Sequence, residues 1–359
     1  MNREVSAYLD TVRLLCALVV LLAHIELNWV PGVWQFFIPL GNECLAFLFV
    51  ISGFVIGFVT DGREKTLQSY LVHRAARVYS VLIPCVLFGF VLDSVGKHYM
   101  TLYYMKGSWP PLDDDFDELL RALYSFTFIG ETWGGDFYPG SMAPYWTLPY
   151  DVAYYLVFGA FWYLPGWWRI VVPILLAIAI GPMVMMFLPL WLLGMLTFRL
   201  SRGLALSVAA GRAIFFGTLL ICLVGEAFAI HFRFHFGFGD QESPELWPFY
   251  VAGSLFAVGT FGFCYAGLSI RRYTGWACWG AGATATLYLL HFPLGRFING
   301  LIPFTWPRGV RWTLMMVSIL AISALFSEIS ERRKDAWRRA IEAGLARVSA
   351  RLSRRKVTA

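Results

Sequence analysis

The sequence predicts an all-α protein, a polytopic membrane helix bundle of about ten transmembrane helices with both termini cytoplasmic, and three observations carry that expectation. Of its 359 residues, 58% are hydrophobic and only 14% charged, against roughly 25% charged in an ordinary soluble domain. The mean hydropathy is +0.61, and apolar runs near the length of about 20 residues that a bilayer core demands recur along the chain. Lys and Arg are also spread unevenly between alternate connecting segments. A soluble enzyme, a disordered chain and a disulfide-stapled secreted domain are all excluded by this composition. Nothing in it points to nucleic acid.

In chain order, candidate spans fall roughly at 9–29, 38–59, 78–96, 146–164, 168–182, 184–199, 212–230, 247–268, 280–300 and 310–327. The first contains the apolar run from Val12 to Ala23, followed by His24, Glu26 and Asn28 rather than a small-residue cleavage site. It reads as a retained span and not a signal peptide. The fifth and sixth are short and divided only by Gly181-Pro182. With the N-terminus inside, internal segments hold 21 Lys and Arg and external segments 7, which places both ends in the cytoplasm.

Residues 1–329 then form one transmembrane domain, and 330–359 a basic amphipathic cytoplasmic tail. In that tail Trp337, Ile341, Leu345 and Val348 recur at helical spacing among arginines. Such a helix suits the anionic lipids of an inner leaflet.

Other features read as structural. The six cysteines lie mostly in apolar runs with no metal-like spacing, as small buried hydrophobes do. The external segment 97–145 carries Asp113-Asp114-Asp115 and Asp117-Glu118 and reads as a solvated loop over the outer face. His231 and His235 stand four apart but lack a third ligand nearby, so no metal is expected.

Ionisable groups inside spans are expensive and mark function by default. Arg13 and His24 are eleven residues apart, which at about 100° per residue is close to three full turns, so they share a helix face about 16 Å apart. Asp10 lies one turn from Arg13 and can pair with it. Glu43, at a depth similar to His24, leaves a His–Glu pair open. Ser52-Gly53 in the second span allows close helix approach. Arg74 and Arg77, three apart on one face, can hold phosphate oxygens together. Asp151 follows Trp146 and Tyr150 in an aromatic cluster, and His291 precedes Pro293 in the ninth span.

These residues together resemble the bacterial membrane acyltransferase family 3, ten-span O-acyltransferases that modify cell-surface carbohydrates. Arg13, ten residues and then His24 are similar to its R-x10-H signature. Gly41 to Phe54 looks like its G-x-E…FF-x-x-SG-F segment, and Arg74-Ala75-Ala76-Arg77 matches R-x-x-R. Trp146 to Asp151 is similar to W-S-L-x-x-E, Leu193-Gly194-Met195-Leu196 to LLGM, and Tyr288 to His291 to YLLH. The motifs follow in order along nearly the whole chain. Asp151 stands where the family has Glu, Thr147 where it has Ser, and Glu331-Arg332 lacks the usual following proline.

The resemblance implies acyl-CoA, expected to be acetyl-CoA, as a donor from the cytoplasm, and a carbohydrate or glycolipid hydroxyl as acceptor. No cofactor is held permanently. It implies a multi-pass protein of the bacterial inner membrane acting on exopolysaccharide or lipopolysaccharide. His24 suits a general base, since neutral imidazole accepts a proton near neutral pH. Glu43 or Asp151 would orient it, and Arg13, Arg74 and Arg77 would bind the donor. Asp10, Ser52, Trp146, Tyr150 and His291 complete the candidate site. Direct attack and an acyl-His24 intermediate both stay open. A proton-coupled carrier of a small metabolite or glycan is the alternative from another class, although the pseudo-repeats and paired broken helices of carriers are not evident.

Overall fold

The computed structural model describes residues 2–34, 36–104, 112, 115–231 and 246–357. Asn2 opens the first helix, its side chain accepting from the Glu4 N–H at 3.2 Å, which satisfies a donor that a helix start leaves open. Helix α1 spans Arg3–His24 and continues as a π-helical turn over Ile25–Trp29. Then come α2 Phe37–Thr60, α3 Leu67–Tyr99, α4 Asp115–Thr127, α5 Thr147–Tyr163, α6 Trp168–Ile180 and the single turn α7 Pro182–Met185. The second half comprises α8 Leu188–Gly203, α9 Val208–His231, α10 Trp247–Tyr265, α11 Gly275–Gly280, α12 Thr284–Leu301, α13 Arg308–Ser327 and α14 Lys334–Val357. No strand occurs among the described residues.

This is the all-helical, multi-pass bundle that the sequence predicts. Seven stretches among the described residues are long and apolar enough to cross a bilayer: Arg3–Trp29, Leu40–Thr60, Leu67–Tyr99, Pro182–Gly203, Val208–Ala227, Trp247–Tyr265 and Arg308–Ala350. The other expected spans coincide with α5, α6 and α12, which are shorter or more polar. α5 has 17 residues and α6 has 13, while the 18-residue α12 carries His291 and Arg296.

Close packing of α2 on α8 sets the frame. A Cβ on Gly53 would lie 1.8 Å from the Trp191 carbonyl oxygen, and one on Gly194 1.9 Å from that of Val50. The two backbones touch, as small residues permit in membrane helices. Two buried clusters flank the space beside this seam. Leu21, Leu82, Leu290 and Phe292 belong to the first, on α1, α3 and α12. Phe49, Tyr154, Leu190 and Trp191 belong to the second, on α2, α5 and α8.

The 97–145 segment departs from expectation. Its described part re-enters the bundle instead of lying over the outer face. The Tyr79 hydroxyl donates to the Phe126 carbonyl at 3.0 Å, and Tyr79 lies about 30 Å down α3 from Tyr99 at roughly 1.5 Å per residue. Asp93 anchors the descent, accepting from the Ser141 N–H and Oγ at 2.8 Å each. At Gly140, where φ is +52°, a Cβ would come within 2.3 Å of Asp93 Oδ2. The loop's tyrosines supply the reason: Tyr104 and Tyr145 are fully buried, and burying aromatic area outweighs the loop's polar character. Asp113, Asp114, Arg233 and His235 lie outside the described residues. The tail helix α14 packs against α3, where Arg338 Nη1 comes 3.3 Å from His73 Nε2.

Candidate active site

A cavity of about 510 Å³ opens between α1, α2, α3, α5, α12 and the start of the tail. Arg13 enters it from α1 and Arg77 from α3. Three carboxylates face them. Asp10 Oδ1 is 3.8 Å from Arg13 Nη1. Glu331 accepts from the Ala285 and Thr286 N–H groups at 3.0 and 3.3 Å, capping the start of α12, where the helix dipole favours an anion. Asp151, on α5, is the third. Arg77 sits in the combined field of Asp151, Glu331 and Asp10, and Arg13 in that of Asp10 and Glu331. Arg332 and Lys334 add positive charge to the wall. Glu331, Arg332 and Lys334, read from sequence as tail, are therefore part of the cavity.

Asp151 is held by a chain of side chains. Trp191 Nε1 donates to Ser52 Oγ at 3.2 Å, and Ser52 Oγ donates to Asp151 Oδ1 at 2.9 Å. The Tyr155 hydroxyl lies 3.1 Å from Ser52 Oγ. The approach of Gly53 to the Trp191 backbone brings Trp191 to Ser52, so the serine-glycine pair has both a packing and a polar duty. Satisfying every member of such a network is what makes a buried carboxylate tolerable.

His24 lies beyond the cavity. Ala17 is the last α1 residue lining it, and His24 is about 10 Å further along the axis. Its ring packs edge-on to Phe292, with its Nδ1 2.8 Å from the Val20 carbonyl and 3.3 Å from His291 Nε2. His291 Nδ1 in turn lies 3.2 Å from the Leu287 carbonyl. Carbonyl oxygens only accept, so each Nδ1 carries a proton. His291 Nε2 is then bare and shares the His24 Nδ1–H with the nearer Val20 carbonyl, which leaves the lone pair of His24 on Nε2. The partner that holds His24 is a second histidine and not Glu43.

Other residues are not drawn together. Glu43 is buried in the field of Glu226, and its Oε2 has no hydrogen-bond partner among the described residues. Arg74 does not join Arg77 at the cavity. Its Nη2 donates to Glu64 Oε1 at 2.9 Å, because the α2–α3 connection delivers a buried carboxylate to that point. Tyr150 packs in the aromatic core against Phe49 and Phe187, with Trp146 edge-on to it at 5.1 Å. Motif and spacing do not single out Tyr155, Trp191 or Glu331 as site residues. For Glu331 the signals in the sequence are its place in the Glu331-Arg332 pair that the family resemblance compares and a carboxylate just after a span beside arginines.

Comparison with known proteins fits this arrangement. The Acyltransferase domain family (Acyl_transf_3) matches residues 6–328. An O-acetyl transferase of Shigella phage Sf6 is 25% identical over 227 residues, covering 57% of this chain and 62% of the phage protein. The chain thus matches under two thirds of that relative's length. No solved structure matches. Since the family match covers nearly the whole chain, including the cavity helices from α1 to α12, the chain belongs to acyltransferase family 3.

Proposed function

We propose that the protein is an integral O-acyltransferase of the bacterial inner membrane. It moves an acyl group, in the first instance acetyl, from cytoplasmic acyl-CoA to a hydroxyl of a cell-surface, exported or lipid-linked carbohydrate. Both termini are cytoplasmic in this reading, as the Lys and Arg distribution supports. The observation that carries the proposal is the alignment of a cation-bearing cavity with a histidine pair about 10 Å beyond it.

Arg77 and Arg13, with Lys334 at the wall, meet the donor's phosphates, and the pantetheine arm covers the distance from Ala17 to His24. The Nε2 lone pair of His24 takes the proton of the acceptor hydroxyl as its oxygen bonds to the thioester carbonyl carbon. The tetrahedral oxyanion then collapses, the C–S bond breaks, and the imidazolium returns its proton to the leaving thiolate. The Val20 carbonyl fixes the tautomer of His24, with His291 as a second acceptor beside it. Anionic lipids contact the basic tail helix in this arrangement.

The test uses purified full-length protein with labelled acetyl-CoA and a lipopolysaccharide or exopolysaccharide acceptor, following free CoA and acylated product. His24→Ala is expected to lower transfer about 10²–10⁴-fold, the usual worth of general base catalysis. His24→Gln should do no better, because an amide does not take up the proton. Protein that moves a solute across liposomes and never releases CoA would replace this reading with the proton-coupled carrier.

A further inference from the structure

A second cavity, of about 390 Å³, lies behind the first. Val78 and Tyr155 line both, so the two chambers share a thin wall. The remaining sides of this lateral chamber are α3, α5, the re-entrant 127–132 segment and the α6–α7 corner. At its edge Ile129 and Leu156 are 49% and 40% exposed. The chamber therefore opens outward between these two apolar side chains.

Among the threonines, tyrosines and apolar residues of the lining stand one acidic and one basic side chain, and both are more than nine-tenths buried: Glu131 is 7% exposed and Arg74 8%. Glu131 Oε1 has no hydrogen-bond partner among the described residues, and neither do Nε and Nη1 of Arg74. Native proteins seldom leave such groups unmet, and each instance asks for an explanation. The backbone around Glu131 is bent to keep it inside, since Phe128 and Trp133 hold φ of +60° and +55°, a region that non-glycine residues rarely occupy. Burial pushes the Glu131 carboxyl up to about 8. At neutral pH it keeps its proton and acts as a donor. The chamber therefore presents two guanidinium N–H groups and one O–H, with a side exit toward hydrocarbon.

We propose that this lateral chamber binds a phosphate-headed membrane lipid. Its phosphate oxygens accept from Arg74 and Glu131, and its chain leaves between Ile129 and Leu156 into the bilayer. Positive guanidinium with a neutral acid suits an anionic head, and the volume falls within the range of pockets that bury most of a small ligand. The site goes beyond the transferase reading and needs only that the bundle sits in a membrane. Its occupant would touch Tyr155, whose hydroxyl faces the Ser52–Asp151 pair.

The experiment places full-length protein in phosphatidylcholine nanodiscs doped with diazirine-tailed phosphatidic acid, irradiates, and maps adducts by peptide mass spectrometry. Adducts are expected on the 127–132 segment and on α5 around residues 152–156. Ala75→Phe on α3 and Val152→Phe on α5 each fill the chamber from one wall and should lower labelling about tenfold. Thermal unfolding checks that they fold. In the wild type, diazirine-tailed diacylglycerol should label the same peptides about tenfold less, and excess inorganic phosphate should displace nothing. Equal labelling by the phosphate-free lipid, unchanged labelling in both folded fillers, or displacement by inorganic phosphate would each overturn the proposal. The last outcome would identify a free-anion site. None of these readouts uses acyl-CoA, so they stand or fall separately from the transferase activity.

Discussion

The inner and lateral chambers share Val78 and Tyr155 yet treat charge in opposite ways. In the inner chamber cations and acids alternate around one space: Arg13 has Asp10, and Arg77 lies in the combined field of Asp151, Glu331 and Asp10. In the lateral chamber Arg74 gives one nitrogen to Glu64, while its other two nitrogens and Glu131 Oε1 have no hydrogen-bond partner among the described residues. Arg74 and Arg77 make the contrast within one helix. They are three residues apart, but Glu64 holds the first while the second faces the cavity. Two charges on nearly the same helix face acquire different work because other helices divide the space in front of them.

Removing each arginine tests that contrast most severely. Arg74→Ala leaves Glu64 buried without its cation, a loss on the order of 3–5 kcal/mol, softened by His73 Nδ1 at 3.6 Å. Thermal unfolding should show it, with a smaller change in acyl-CoA affinity. Arg77→Ala should do the reverse, lowering acyl-CoA affinity about tenfold or more with stability nearly kept. Arg77→Lys should fare little better, because an ammonium lacks the planar guanidinium contact. Equal losses of donor affinity at both positions would return them to a single phosphate clamp.

The lateral chamber also predicts a pH dependence. Burial raises the Glu131 carboxyl from 4.5 to about 8, with Asp136 the charged neighbour acting on it and Tyr145 and Tyr150 facing it. The folded protein holds that proton while the unfolded chain releases it near pH 4.5. This contribution to stability is thus full below about 4.5, falls as pH rises toward 8, and is flat above. At roughly 1.4 kcal/mol per pH unit it amounts to a few kcal/mol. Glu131→Gln should flatten the curve measured by thermal unfolding across pH 5–9. A wild-type curve already flat over that window would put the carboxyl in water.

The smallest effect is expected at Glu331. Glu331→Ala removes the acceptor for two N–H groups at the start of α12 and should cost about 1–2 kcal/mol. Glu331→Gln, which keeps an acceptor oxygen, should recover part of the stability and little of the charge balance around Arg13 and Arg77. Full recovery of acyl-CoA affinity by Gln would reduce Glu331 to a helix cap.

Much of the helical frame is legible in the amino-acid sequence. Each expected span coincides with a helix, because a bilayer demands long apolar runs and leaves them visible in sequence. Periodicity alone places Arg13 and His24 on one face. The glycines at 53 and 194 announce close packing, though not that they pack against each other's helices. Three features stay hidden: the histidine that holds His24, the separation of Arg74 from Arg77, and the descent of the 97–145 segment. Each depends on contacts between residues far apart in the chain, such as His24 with His291 or Tyr79 with Phe126.

The sequence by itself determined the membrane-helix class and which charged residues had to be sheltered, since transfer into hydrocarbon penalises each residue independently of its neighbours. Only the tertiary structure decided which shelter each charge received. Hydrogen bonds and ion pairs act over a few ångströms, and the helices that bring Glu331 to α12 or Glu64 to Arg74 are positioned by packing that local periodicity does not record.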